Sequence, residues 1–164
     1  MSFNGVQAAQ SFRQINNATP DKVFPLLCPV REKDWIEDWD YTMIHSKSGL
    51  VEKGCVFTTP HHGQSDTVWY VTRHDPIKYI VDFVRVTPNE EVVKIDIHLE
   101  DNGDGTTTAV ITYEYTGLNE AKNQWIKTEF ENSFKQTMLG WEKAINYYLE
   151  TGEMLSPRSL KSVT

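Results

Sequence analysis

Tyr113 and Tyr115 are the residues best suited to do chemistry in this chain. Two apart in an extended stretch, they share one face of a strand. A phenol in an apolar site can donate a hydrogen bond to a developing oxyanion or to the polar end of a bound molecule. Plain aromatic packing against a helix competes with that role. Asp82 and Arg85 stand in the mostly apolar stretch 78–87, and their numbering puts them on opposite strand faces. Either Ile80, Asp82, Val84 and Val86 point inward, or Tyr79, Val81, Phe83 and Arg85 do. Each choice admits one charge, which needs a partner, a wet cavity or a solvated rim. His74 is a further acid–base candidate.

The other chemical motifs are weaker. His61 and His62, with Cys55 or His74, suggest soft-metal ligands, but adjacent strand residues point to opposite faces, so no specific metal is expected. The 101–106 segment places Glu100, Asn102 and Asp104 at calcium-loop spacing, yet Ile111 stands where a bidentate Glu belongs. That segment reads as a tight turn. Ser65-Asp66 lacks any nucleophile-elbow context. Neither a phosphate-cradling glycine loop nor a dinucleotide fingerprint occurs, so no nucleotide cofactor is expected.

The positioning elements begin with the stretch 119–151. Asn119 is a suitable N-cap and Gly152 a suitable left-handed stop. Between them Ile126, Phe130, Phe134, Met138, Trp141, Ile145, Tyr148 and Leu149 fall on one helical stripe, with Ser133, Thr137 and Ala144 at its edge. Lys135, Glu142, Lys143 and Asn146 fall opposite. One uninterrupted helix of roughly 50 Å is expected. Such an aromatic stripe needs a broad apolar surface to cover.

Strands supply that surface. Extended signals cover 6–15, 41–45, 54–59, 67–74, 78–87, 92–100 and 106–116. In the sixth, Val93, Ile95, Ile97 and Leu99 alternate with Lys94, Asp96, His98 and Glu100, the mark of a half-buried antiparallel strand. After the first strand, Thr19-Pro20-Asp21 opens a short helix that Pro25 must kink, and a second helical piece follows over 31–36. Trp35 and Trp39 lie there four apart, either as a pair packed over one end of the core or as an aromatic rim at a pocket mouth.

Composition bounds the classes. Hydrophobic residues are 39 % of the 164, enough for a soluble domain with a real core. A net charge of −7 repels phosphate backbones and argues against nucleic-acid binding. No run is long enough to span a bilayer. The first ten residues lack the regions of a signal peptide, so a cytoplasmic location and free thiols at Cys28 and Cys55 are expected. One domain over 1–155 and a flexible tail over 156–164 complete the expectation.

The order of strand, two short helices, six strands and long amphipathic helix resembles the helix-grip fold of the SRPBCC superfamily. That group includes START domains, polyketide cyclase/dehydratase-like proteins and chaperone ATPase-activator domains. The matching stretches are Ala18-Thr19-Pro20-Asp21-Lys22-Val23-Phe24-Pro25-Leu26-Leu27, the tryptophans Trp35 and Trp39, and 141–152. The resemblance implies an α+β fold: a curved antiparallel sheet of about seven strands gripping the last helix, with a cavity between. Its implied occupant is a small hydrophobic or amphipathic molecule, lipid- or polyketide-like. Alternatives are an enzyme of the cyclase or dehydratase kind, or a protein-interaction domain with a filled interior. With strand parity, it makes Ile95, Ile97, Tyr113, Tyr115, Phe130, Phe134, Met138, Trp141 and Trp39 the lining, with Asp82 or Arg85 at a polar end. The entrance is expected between the helix and the loops 35–40 and 61–65. The superfamily has no shared catalytic signature to transfer, and oligomeric state is not legible.

Overall fold

Alternation of apolar and polar residues builds one antiparallel sheet of seven strands in the computed structural model, which describes residues 2–61 and 65–156. The strands are β1 (Gln7–Asn16), β2 (Thr42–His45), β3 (Val56–Thr59), β4 (Thr67–Asp75), β5 (Ile80–Thr87), β6 (Glu91–Asp101) and β7 (Thr107–Gly117). They lie in the order β1-β7-β6-β5-β4-β3-β2. The β6–β7 hairpin is tight: Asp101 and Asp104 accept backbone N–H bonds from Gly103 at 2.9 Å and Thr106 at 3.0 Å. These carboxylates are spent inside their own turn, where Gly103 and Gly105 take positive φ.

Two short helices follow β1 as expected, although the second lies over 29–32 rather than 31–36, and helices close the chain. Pro20 opens α1 (Pro20–Val23), and Pro25 forces the continuation into a 3₁₀ turn over Phe24–Leu26. Pro29 starts α2 (Pro29–Glu32) as well as ending the previous element. The expected single helix over 119–151 is in fact two, α3 (Glu120–Thr128) and α4 (Phe130–Thr151). They join at Glu129, whose φ of −118° leaves the helical range. Thr128 bonds its hydroxyl back to the Gln124 carbonyl at 3.0 Å, a contact that bends helices. The 22 residues of α4 span about 33 Å.

The apolar stripe of α4 faces the sheet as expected: Phe130, Phe134, Met138 and Ile145 are buried. Glu142 and Asn146 do not simply face solvent. Glu142 accepts from Ile15 N at 2.8 Å, and Asn146 donates to Ile15 O at 2.9 Å. These bonds cap the free edge of β1, which would otherwise offer unpaired backbone groups. Asn119 caps α3 by accepting from Lys122 N at 2.7 Å, and Gly152 ends α4 at φ 73°. Cys28 and Cys55 are buried free thiols. No helix among the described residues is long and apolar enough to cross a membrane.

Candidate functional site

The parity of β5 settles on the odd set. Val81 and Phe83 are buried, and Arg85 turns toward the interior with them. Asp82 is thereby removed from the cavity: it pairs in register with Asp96 on the opposite face of the sheet. Burial and the neighbouring Asp96 raise its carboxyl above the usual range. His74 lies opposite buried Val81 but does not line the cavity; it stacks on Phe24 with ring centroids 5.4 Å apart.

Between the sheet and the first half of α4 lies a cavity of about 280 Å³. Its walls are aromatic: Trp69 from β4, Tyr113 and Tyr115 from β7, Trp125 from α3, Phe130 and Phe134 from α4. The break at Glu129 matters here. It stacks Trp125 on Phe130 with centroids 5.8 Å apart, and brings both against Tyr115, at 5.2 and 4.5 Å. Ser133 and Thr137 form an exposed rim on α4, so the cavity reaches solvent along that side. At the loop 35–40, Trp39 folds inward, while Trp35, Ile36 and Glu37 border a separate open cleft of about 290 Å³ against Gly140, Trp141 and Ala144 of α4. Of the other expected gate, residues 62–64 lie outside the described residues.

Arg85 supplies the charge. Its Nη2 donates to the Tyr115 hydroxyl at 2.7 Å and its Nη1 reaches Glu91 Oε2 at 3.3 Å. The guanidinium lies against the rings of Trp69 and Tyr115, 5.5 and 5.4 Å from their centroids. Burial works against its charge, but Tyr115, Glu91 and Tyr113 outweigh that and hold it protonated. Glu91 also takes Lys122 at 3.1 Å, so two cations share one carboxylate. Desolvation lifts the Tyr115 phenol despite Arg85, so it is neutral at physiological pH.

A smaller chamber of about 30 Å³ abuts the cavity at Trp69 and Tyr113. Ile95 and Ile97 floor it, Phe57, Phe83 and Trp141 wall it, and Trp39 closes it. Glu32 of α2 also faces it, and no expectation from the sequence included that residue. Glu32 keeps some accessible surface, but the protein around its carboxyl strips it of much of its water. Among the described residues no side chain hydrogen-bonds or ion-pairs with this carboxyl, and loss of water pushes it up to about 8. The Tyr113 hydroxyl is likewise without a hydrogen bond among the described residues, and burial raises it well above the usual phenol range. The sequence did carry a signal for Glu32. It shares helical spacing with Trp35, Ile36 and Trp39 at i+3, i+4 and i+7, so it belongs to the apolar face.

The remaining expected residues divide. Met138 is fully buried but lines neither space; it packs the core. Trp35 and Trp39 do not pair with each other. Trp35 is fully buried against Trp141 at 5.4 Å, while Trp39 meets Trp69 at 6.3 Å. His61 pairs with Glu90 at 3.0 Å, and His62 lies outside the described residues. Among the described residues no three His, Cys, Asp or Glu side chains gather as a metal site.

No protein-family profile matches this sequence, and no curated protein does. Solved structures do match in fold. A hypothetical protein, jhp0584 from Helicobacter pylori, superposes with a TM-score of 0.67 at 13 % identity, covering 86 % of this chain and 87 % of that one. A point mutant of norcoclaurine synthase from Thalictrum flavum, in complex with a transition state analogue, gives 0.66 at 12 % identity, over 93 % and 100 % of the two chains. The protein Ara h 8.0201 gives 0.63 at 16 % identity, over 89 % and 99 %. At these identities the likeness is one of fold.

Proposed function

We propose that this chain, which has the Bet v1-like helix-grip fold of the SRPBCC superfamily, binds a small amphipathic molecule beneath α4. The observation that carries this reading is the aromatic cavity with a mostly buried guanidinium in its wall. Concave, mostly apolar spaces with a few convergent polar groups are the usual form of small-molecule sites. Arg85 uses two of its nitrogens on Tyr115 and Glu91 and has N–H donors to spare for an acceptor on the ligand. The volume of about 280 Å³ sits at the small end of ligand pockets, so a compact ring-bearing molecule of polyketide size suits it better than a long acyl chain. The transition state analogue held by norcoclaurine synthase supports the idea that this fold takes up small molecules. An open cavity counts against an interaction domain with a filled interior.

Titration with anilinonaphthalene sulfonate, followed by displacement with small aromatic acids and fatty acids, tests the reading. Thr137→Trp should block the rim from an exposed helix position, and Phe134→Trp should fill the interior; both should weaken uptake at unchanged fold. Wild type that binds none of these compounds, or two variants that bind as wild type does, would sink it.

Acid–base catalysis of the cyclase or dehydratase kind is a second reading, favoured by one observation. The Tyr113 hydroxyl and the Glu32 carboxyl both border the inner chamber without protein partners. Turnover unaffected by Tyr113→Phe and Glu32→Gln would remove it.

A further inference from the structure

We propose that the chamber bounded by Glu32, Trp39 and Tyr113 receives a primary ammonium group, so that the molecule taken up is an amine with a compact hydrophobic body. This rests on the cavity-binding reading and names its ligand class. The first argument is the carboxyl itself. A carboxyl that has lost much of its water and has no protein partner gains from any hydrogen-bond donor brought to it. Glu32 projects into an interior space and is left without a protein partner among the described residues. A donor brought in by a ligand completes it.

The walls select a cation among possible donors. Trp39, Trp69, Trp141, Phe57 and Tyr113 surround the space, and aromatic faces attract ammonium groups. The indole N–H of Trp39 is already given to Pro29 O at 2.8 Å, and that of Trp69 to Thr59 Oγ1 at 3.0 Å. Neither is available to Glu32, and both rings are held in place. The volume sets the head group. About 30 Å³ is room for a group the size of one or two waters, since a cavity of ~10–15 Å³ already holds one. A primary ammonium is of that size, whereas a trimethylammonium is several times larger. Arg85 does not oppose this arrangement, because it lines the larger space and is paired with Glu91.

Binding then moves a proton. Tyr113 is the titratable neighbour of Glu32, and Arg85 faces Tyr113 from β5; the shift of Glu32 itself comes from burial. The empty site holds the carboxyl protonated at neutral pH. An incoming ammonium favours the carboxylate, so the acid proton passes to solvent as the ion pair forms.

Titration calorimetry of the full chain at pH 7, in two buffers of different ionisation enthalpy, tests this. The probes are hexylamine and benzylamine, their neutral counterparts hexanol and benzyl alcohol, and benzyltrimethylammonium as a bulky cation. The expected result is amine binding about tenfold tighter than alcohol binding, with release of close to one proton. Glu32→Gln should abolish the proton release and the preference for amines, and benzyltrimethylammonium should not bind. Amines and alcohols that bind equally, release no proton and are both blocked by Thr137→Trp overturn the ammonium site but leave the cavity reading intact. Amine binding that survives both Glu32→Gln and Thr137→Trp is adsorption to an acidic surface and also overturns it. If no probe binds, the inference fails, and the dye titration decides the cavity reading separately.

Discussion

Arg85 donates a 2.7 Å hydrogen bond to the hydroxyl of Tyr115, tying β5 to β7 across the intervening β6. The bond fixes the phenol and one arm of the guanidinium at the wall of the cavity. Tyr115→Phe should therefore destabilise the fold by about 1 kcal/mol, the net worth of one hydrogen bond. Arg85→Met should cost more, about 2 kcal/mol. That is below the usual 3–5 kcal/mol for breaking a buried pair, because Lys122 still neutralises Glu91. Urea denaturation of both variants checks the order; a larger loss in Tyr115→Phe would contradict it.

Glu32 should make stability fall as pH rises. Its folded value of about 8 lies above the ordinary 4.5, so the folded chain holds a proton that the unfolded chain releases. The contribution is complete below about pH 4.5 and is lost on the way up to pH 8. Wild type should lose on the order of 5 °C in Tm relative to Glu32→Gln between pH 5 and 8. Parallel melting curves for the two proteins, or a steeper fall in the variant, would show that the carboxyl is already solvated or paired.

The two contacting tryptophans should differ in weight. Trp35 is fully buried and donates its indole N–H to Leu26 O at 2.9 Å. Trp35→Ala should cost about 3–5 kcal/mol, the range for a large buried aromatic. Trp141 is only partly buried and borders open space on the flank of α4, so Trp141→Ala should cost less, about 2 kcal/mol. Chemical denaturation that ranks them the other way would mean that the α2–α4 contact hangs on Trp141.

Removing α3 and α4 should abolish cooperative folding. The buried stripe of α4 covers the sheet, and Glu142 and Asn146 protect the edge of β1. A chain ending before Asn119 exposes both an apolar face and an edge strand. A sharp thermal transition in that fragment would refute the role given to the helices.

Much of the fold is legible because its signals are local. Proline chemistry gave the start of α1 but not that of α2, which begins at Pro29 rather than Arg31, and local strand and turn signals gave each strand to within a residue or two. Period 3.6 identified the face of α4 but not its break at Glu129, since buried Ile126 and Phe130 keep the same stripe on either side of it. Of the expected lining residues, Phe130, Phe134, Tyr113, Tyr115, Trp39, Trp141, Ile95, Ile97 and Arg85 border one of the two spaces, while Met138 and Asp82 do not. Met138 shares the α4 stripe with Phe134, and periodicity cannot separate a residue that packs the core from one that borders a void.

The amino-acid pattern alone determined the class of this protein: an acidic chain whose strands must cover one aromatic helix. Alternation and capping are properties of neighbouring residues, so no distant contact was needed to read them. Tertiary structure decided what the interior can hold. With the odd face of β5 turned inward, Val81 and Phe83 are buried and Arg85 meets Tyr115 and Glu91, partners 30 and 6 residues away. Glu32 became the inner polar group because Trp35, bonded to Leu26 O, holds the segment after α2 in place, so that of the charged run 31–34 Glu32 alone borders the chamber. Desolvation is a property of that enclosure, and no residue carries it in its sequence neighbourhood.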